Sequence, residues 1–173
     1  MNNRDNDKDI NEIIPHLYIS NWDTSNNPEI IRFYNIKAVI TLETTNKPTR
    51  ILRYYYGNKI DFMHIQIIDS KDSDIDKHFD STYNFIQKHI SKNENVLIHC
   101  AAGISRSATI ILNYILRNMF LNYNLKQENP ENILIHALNI ARSKRPIINP
   151  NPGFINQLLE KIKYYKLYQI YDS

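Results

Sequence analysis

Residues 96–107 read VLIHCAAGISRS: a short apolar run of strand character, a loop holding Cys100, Gly103 and Arg106, and at once the start of a second apolar run. From Thr109 to Phe120 that second run carries Ile110, Ile111, Leu112, Tyr114, Ile115 and Leu116, apolar nearly all round, which predicts a central, buried helix. A strand that turns tightly into a helix aims the helix's unpaired first amides and the positive end of its dipole at one point. That is an anion site. The loop can turn further amides toward the same point. Gly103 is one of three glycines in the chain, and its place here predicts a positive φ or a close approach of backbone.

The same stretch supplies reactive groups. Cys100 stands at the strand end, where a ring of amides favours its thiolate form, a ready nucleophile. Arg106 presents a planar fork able to hold two phosphate oxygens. Ser107 can donate its hydroxyl to the sulfur, and His99 can fix the loop by hydrogen bonding or simply satisfy a bond in the core. The backbone of Ala101, Ala102, Gly103, Ile104 and Ser105, with Arg106, is the expected phosphate cradle. A lone cysteine is usually a small buried hydrophobe, and Cys-x5-Arg alone arises by chance. The strand before it, the glycine within it and the helix after it are what give the pattern meaning.

Working outward, short β-compatible runs occur at Leu17 to Ser20, Ala38 to Leu42, Phe62 to Ile67 and Val96 to His99. Ile75, Phe79, Tyr83, Ile86 and Ile90 recur at helical spacing and predict a helix to about Ser91, packed by that stripe. Asn27-Pro28, Asn129-Pro130 and Asn151-Pro152 each read as a helix start, asparagine capping and proline at the first helical position. Strands alternating with helices predict a single α/β domain, a central, mainly parallel sheet flanked by helices. The polar residues 1–9 read as a flexible tail and residues 10–173 as the folded domain.

Composition narrows the function classes. The 21 Lys and Arg against 18 Asp and Glu leave a formal charge of +3, too small to announce nucleic-acid binding. One cysteine excludes an internal disulfide and a multi-cysteine zinc site. Without a long apolar run or a signal-peptide pattern, no membrane partner is expected and the location read is intracellular and cytoplasmic.

The run His99-Cys100-x5-Arg106-Ser107 resembles the signature of cysteine-dependent protein tyrosine phosphatases, and AAGISRSAT is similar to its dual-specificity branch. The resemblance extends to Asp69 and the stretch through Asp74, Ile75 and Phe79, similar to that branch's acid loop, and to RPIINPNPGFINQL from Arg145 to Leu158. It implies a tyrosine-phosphatase-like fold, phosphorylated protein substrates, no cofactor and no metal. It also implies hydrolysis in two steps, with Cys100 as nucleophile, Arg106 and the loop amides holding phosphate, Asp69 as general acid and then base, and Ser107 easing thiolate release. The same chemistry on RNA 5′-phosphates, phosphoinositides or phosphoglucans is the alternative, and a catalytically weak phosphoprotein-binding module is a second.

Other features have blander readings. Asp72, Asp74 and Asp76 read as a solvated turn, Asp74 in particular as a helix cap. Asn151 reads as a cap and turn. Tyr164, Tyr165, Tyr168 and Tyr171 read as core or rim packing. The segment from Lys47 to Asn58, with two arginines and three consecutive tyrosines, departs from the family pattern and reads equally as a wall of the substrate cleft or a cover over the core.

Overall fold

Alternation along the central strands decides which elements cover which face. Ala38, Ile40 and Leu42 point with Val96 and Ile98 into one apolar cluster, while Val39 and Leu97 point into another. Every one of these residues is buried, so the sheet is covered on both sides. The computed structural model describes residues 9–45 and 47–168. The sheet has five strands in the order β1-β2-β5-β3-β4: β1 (Ile10–Ile14), β2 (Leu17–Ser20), β3 (Ile36–Leu42), β4 (Asp61–Ile65) and β5 (Asn95–His99). Three pairings are parallel, and β1 joins β2 antiparallel. Mainly parallel is therefore right, with one antiparallel edge strand that the sequence reading omitted.

The short α1 (Trp22–Ser25) follows β2, and on one face of the sheet lie α2 (Pro28–Phe33) and α3 (Lys47–Tyr56), packing Ile30, Ile31 and Leu52 against it. The other face carries α4 (Phe79–Ile90), α5 (Arg106–Asn122), α6 (Pro130–Lys144) and α7 (Pro152–Tyr168). α5 is the central helix expected, buried from Arg106 through Leu116. The three asparagine caps form: Asn27 accepts from the Glu29 amide, Asn129 from Glu131 and Asn151 from Phe154. Asp74 caps the short helical turn Asp76–His78 that leads into α4, its carboxylate accepting from the Lys77 amide. Gln157 on α7 accepts from the amides of Ile75 and Asp76 across the fold at 2.9 and 3.0 Å.

The expected tail, residues 1–9, falls outside the described residues except for Asp9, which is ion-paired to Arg145. Tyr171 also lies outside them. Among the described residues no helix is long and apolar enough to cross a membrane. The four parallel-related strands β2, β5, β3 and β4 all end at one edge, where open α/β sheets place their sites. Cys100 follows β5 there, Glu43 follows β3, and Asp69 lies just beyond β4.

Candidate active site

The loop from β5 to α5 is shaped by where its carbonyls go. The Trp22 amide donates to Ala101 O (3.0 Å), Arg145 Nη2 to Ala102 O (3.1 Å) and Arg145 Nε to Gly103 O (2.8 Å). The Asn149 amide donates to Ile104 O (2.9 Å), and Thr109 donates to Ser105 O through both its amide (2.9 Å) and its hydroxyl (2.8 Å). Every carbonyl of residues 101–105 is thus held by an outside partner. The amides of the same residues donate to no protein acceptor among the described residues. In each of these trans peptide units the N–H of the following residue points opposite to the carbonyl, so five tethered carbonyls leave the amides of residues 102–106 on the inner side of the loop, the geometry of an anion nest.

Gly103 makes this possible in both ways the sequence suggested. Its φ is +64°, and a Cβ there would lie 2.6 Å from Ser20 O and 2.9 Å from Arg145 Nη2. Ser105, the residue before α5, makes no side-chain cap to the helix. Its hydroxyl instead donates to Asp69 Oδ1 at 2.8 Å and accepts from the Asn151 amide at 3.1 Å. The first amides of α5 therefore keep their capacity for an anion.

Cys100 is buried, with Sγ 3.1 Å from Ser107 Oγ. Arg106 is buried too, and its Nη1 donates to Glu43 Oε2 (3.3 Å) and Ile67 O (3.2 Å). Its Nε is buried without a partner, which leaves the Nε–Nη2 edge of the fork for two oxygens. Asp69 is exposed at the rim, its Oδ1 also accepting from Asn151 Nδ2 at 2.8 Å. The site thus brings together Cys100, Arg106, Ser107 and Asp69.

His99 takes the core role of its two readings. Its Nε2 meets Thr41 Oγ1 at 2.8 Å in the buried sheet. Full burial is the main cause that brings its pKa down to about 3, with the Cys100 backbone acting against it. A neutral imidazole adds packing and one hydrogen bond here, and no positive charge beside the sulfur. Asp74 and Asp76 share a hydrogen bond with each other, which lowers the pKa of Asp74 and raises that of Asp76, and neither carboxylate bonds to the cradle.

Sequence reasoning missed three residues. Arg145 braces two loop carbonyls and ties them to Asp9 and Asn11 through Nη1. Glu43 fixes one nitrogen of Arg106. Asn151 caps α7 as expected, but its amide nitrogen also holds Asp69. The available signal for Arg145 was its place at the start of the RPIINPNPGFINQL stretch, while nothing near Glu43 in sequence marked it.

Comparison with known proteins places this geometry. Residues 17–163 match the family described as dual specificity phosphatase, catalytic domain. Dual specificity protein phosphatase 1B of Arabidopsis thaliana is 30% identical over 151 residues, covering 87% of this chain and 80% of that protein. MAP kinase phosphatase with leucine-rich repeats protein 3 of Dictyostelium discoideum is 33% identical over 154 residues, 86% of this chain but 15% of that longer protein. The crystal structure of the Yvh1 phosphatase domain from Chaetomium thermophilum superposes with a TM-score of 0.75 at 26% identity, covering 95% of this chain and 99% of that one.

Proposed function

This chain belongs to the dual specificity phosphatase family and is a protein phosphatase of the protein-tyrosine-phosphatase type, and we infer that its site hydrolyses phosphotyrosine and phosphoserine or phosphothreonine through a phosphocysteine at Cys100. The observation that carries the reading is the set of five outward-tethered carbonyls, which turns a ring of amides toward the sulfur at the end of β5.

In the first step the Cys100 thiolate attacks phosphorus in line and the bond to the leaving oxygen breaks. The amide ring and the Nε–Nη2 edge of Arg106 stabilise the three equatorial oxygens. Asp69, held at the rim by Ser105 and Asn151, gives its proton to the leaving oxygen. In the second step water attacks phosphorus, Asp69 takes the water's proton, and the S–P bond breaks. The Ser107 hydroxyl, 3.1 Å from the sulfur, stabilises the departing thiolate. Glu43 and Arg145 touch neither phosphorus nor sulfur. They are positioning residues for the guanidinium and for the loop.

The test is phosphate release from phosphotyrosine and phosphothreonine peptides, an RNA 5′-triphosphate and a phosphoinositide, with wild type and Cys100→Ser. The expected result is turnover of the two peptides, lost in the variant while phosphopeptide binding persists. Peptide turnover by Cys100→Ser would overturn the mechanism, and preference for the RNA or lipid substrate would overturn the substrate class.

A further inference from the structure

The stretch KPTRILRYYYGNK, residues 47–59, takes no part in the phosphate chemistry. It holds Lys47, Arg50, Arg53 and Lys59 and no acidic residue, a charge of +4. The whole chain carries +3, so everything outside these residues sums to −1 (3 minus 4). The basic character of the protein is concentrated here.

In the fold, α3 turns its apolar side inward, with Leu52 fully buried in the cluster shared with Ile60 and Phe62. Its outer side shows Arg50, Arg53, Tyr54 and Tyr55, and Tyr54 is the most exposed large apolar side chain described, at 85%. Among the described residues no carboxylate lies within ion-pair distance of Arg50, Arg53 or Lys59. Asp61, the first acid after the stretch, is already engaged by Lys88 at 2.7 Å and His89 at 3.2 Å. The Arg53 guanidinium sits 5.3 Å from the centre of the Phe62 ring, and the Tyr54 and Tyr55 rings meet edge to face at 5.4 Å. Two arginines three apart, unneutralised, weaken a helix by mutual repulsion. An acidic partner removes that repulsion.

Position links this face to the site. α3 leaves the same end of β3 at which Glu43 meets Arg106. Arg50 follows Glu43 by seven residues (50 minus 43), and at ~3.6 Å per residue the intervening chain cannot span more than about 25 Å. A short extended peptide covers that distance.

We propose that the outer face of α3 binds an acidic segment of the phosphoprotein substrate, a few residues from the phosphorylated side chain, through Arg50 and Arg53 with Tyr54 and Tyr55 as flanking contacts. This rests on the phosphatase reading and adds a substrate preference to it. Charge complementarity favours an acidic peptide over a lipid surface, because an interfacial helix buries its apolar side in the bilayer, and the apolar side of α3 faces the sheet.

The experiment compares two phosphotyrosine peptides of equal length, one flanked by Asp and Glu and one by Asn and Gln, with p-nitrophenyl phosphate as a substrate too small to reach α3. For the wild type, kcat/KM is expected to favour the acidic peptide by about tenfold or more, with the ratio falling as salt is raised. Arg50→Glu with Arg53→Glu should abolish the preference through KM and leave p-nitrophenyl phosphate turnover unchanged, and Arg50→Gln with Arg53→Gln should fall between. Equal rates for the two peptides in the wild type, or a preference that survives charge reversal, overturns the proposal. Reversal-sensitive sedimentation with phosphatidylserine vesicles, without any peptide preference, overturns it in favour of a lipid partner. If p-nitrophenyl phosphate is not hydrolysed by the wild type, the phosphatase reading is what fails. Fluorescence anisotropy of the two peptides then decides the docking face on its own, tighter binding of the acidic one supporting it and equal binding overturning it.

Discussion

Asp69 is distinguished from its acidic neighbours by its contacts. Its Oδ1 receives two hydrogen bonds, from Ser105 at 2.8 Å and from Asn151 at 2.8 Å, and both donors belong to elements that frame the cradle. Asp72 and Asp74 are exposed, and no bond joins either to the loop. A general acid matters most when the leaving group is basic, so Asp69→Ala should slow hydrolysis of phosphotyrosine and phosphothreonine peptides by roughly 10²-fold or more. An activated aryl phosphate should lose less. Asp72→Ala should leave both rates near wild type, and initial rates on the two substrate kinds check the contrast; the reverse pattern would reassign the acid. Cys100, Arg106 and Ser107 were legible because strand, loop and helix are contiguous and their chemistry is local. Arg145, Glu43 and Asn151 were not, since each acts across a tertiary contact that no spacing in the chain encodes. Arg145 lies 42 positions from Gly103, whose carbonyl it holds, and Glu43 lies 63 positions from Arg106.

Among the elements, α7 has the closest hold on the acid loop. Its second residue, Gly153, packs so tightly that an added Cβ would fall 1.9 Å from Lys71 O and 2.6 Å from Lys71 C. That carbonyl is backbone, so an alanine can be accommodated only by moving the acid loop or the start of α7. Asn151 and Gln157 fasten the same two elements, through Asp69 on one side and through Ser73 O, Ile75 and Asp76 on the other. Gly153→Ala should therefore mimic part of the loss of Asp69. A fall of about tenfold or more is expected in kcat on a phosphotyrosine peptide, with little change on an activated aryl phosphate and in vanadate affinity, because the Cys100 cradle is built from other elements. Equal turnover of the peptide by variant and wild type would show that this packing does not set the acid's position. The helices were legible from period and caps, and the tie between α7 and the turn before α4 was not, because Gln157 arrives from 81 positions away to receive the Asp76 amide. β1 escaped notice because Ile10–Ile14 pairs on one side only, with β2, and shows no clean alternation: its burial runs buried, partial, exposed, buried, partial.

For the whole molecule, the mainly parallel sheet with helices on both faces followed from alternating patterns, and one buried histidine at its centre makes the stability of that assembly depend on pH. His99 ends β5 between β2 and β3, is fully buried, and has its pKa lowered from 6.5 to about 3, with desolvation the main cause. Its surroundings hold Thr41, which bonds Nε2, while the nearby guanidinium of Arg106 also disfavours the imidazolium. In the folded state the ring stays neutral where an unfolded chain would protonate it. Unfolding therefore takes up a proton between about pH 6.5 and about pH 3, so stability rises with pH across that window and is lost as pH falls through it. The slope from this one group approaches about 1.4 kcal/mol per pH unit inside the window. Other groups titrate there as well, carboxylates above all, and the comparison that isolates His99 is with His99→Asn, an uncharged side chain that can still donate to Thr41. Urea unfolding at pH 7 and pH 5 should show the wild type losing about 1–2 kcal/mol more on acidification than the variant does. At pH 7, where the histidine is neutral in both states, the variant should be the less stable of the two through lost packing. Parallel losses in the two proteins would mean that His99 protonates without unfolding the sheet, and that the core around β5 admits a charge its burial should forbid.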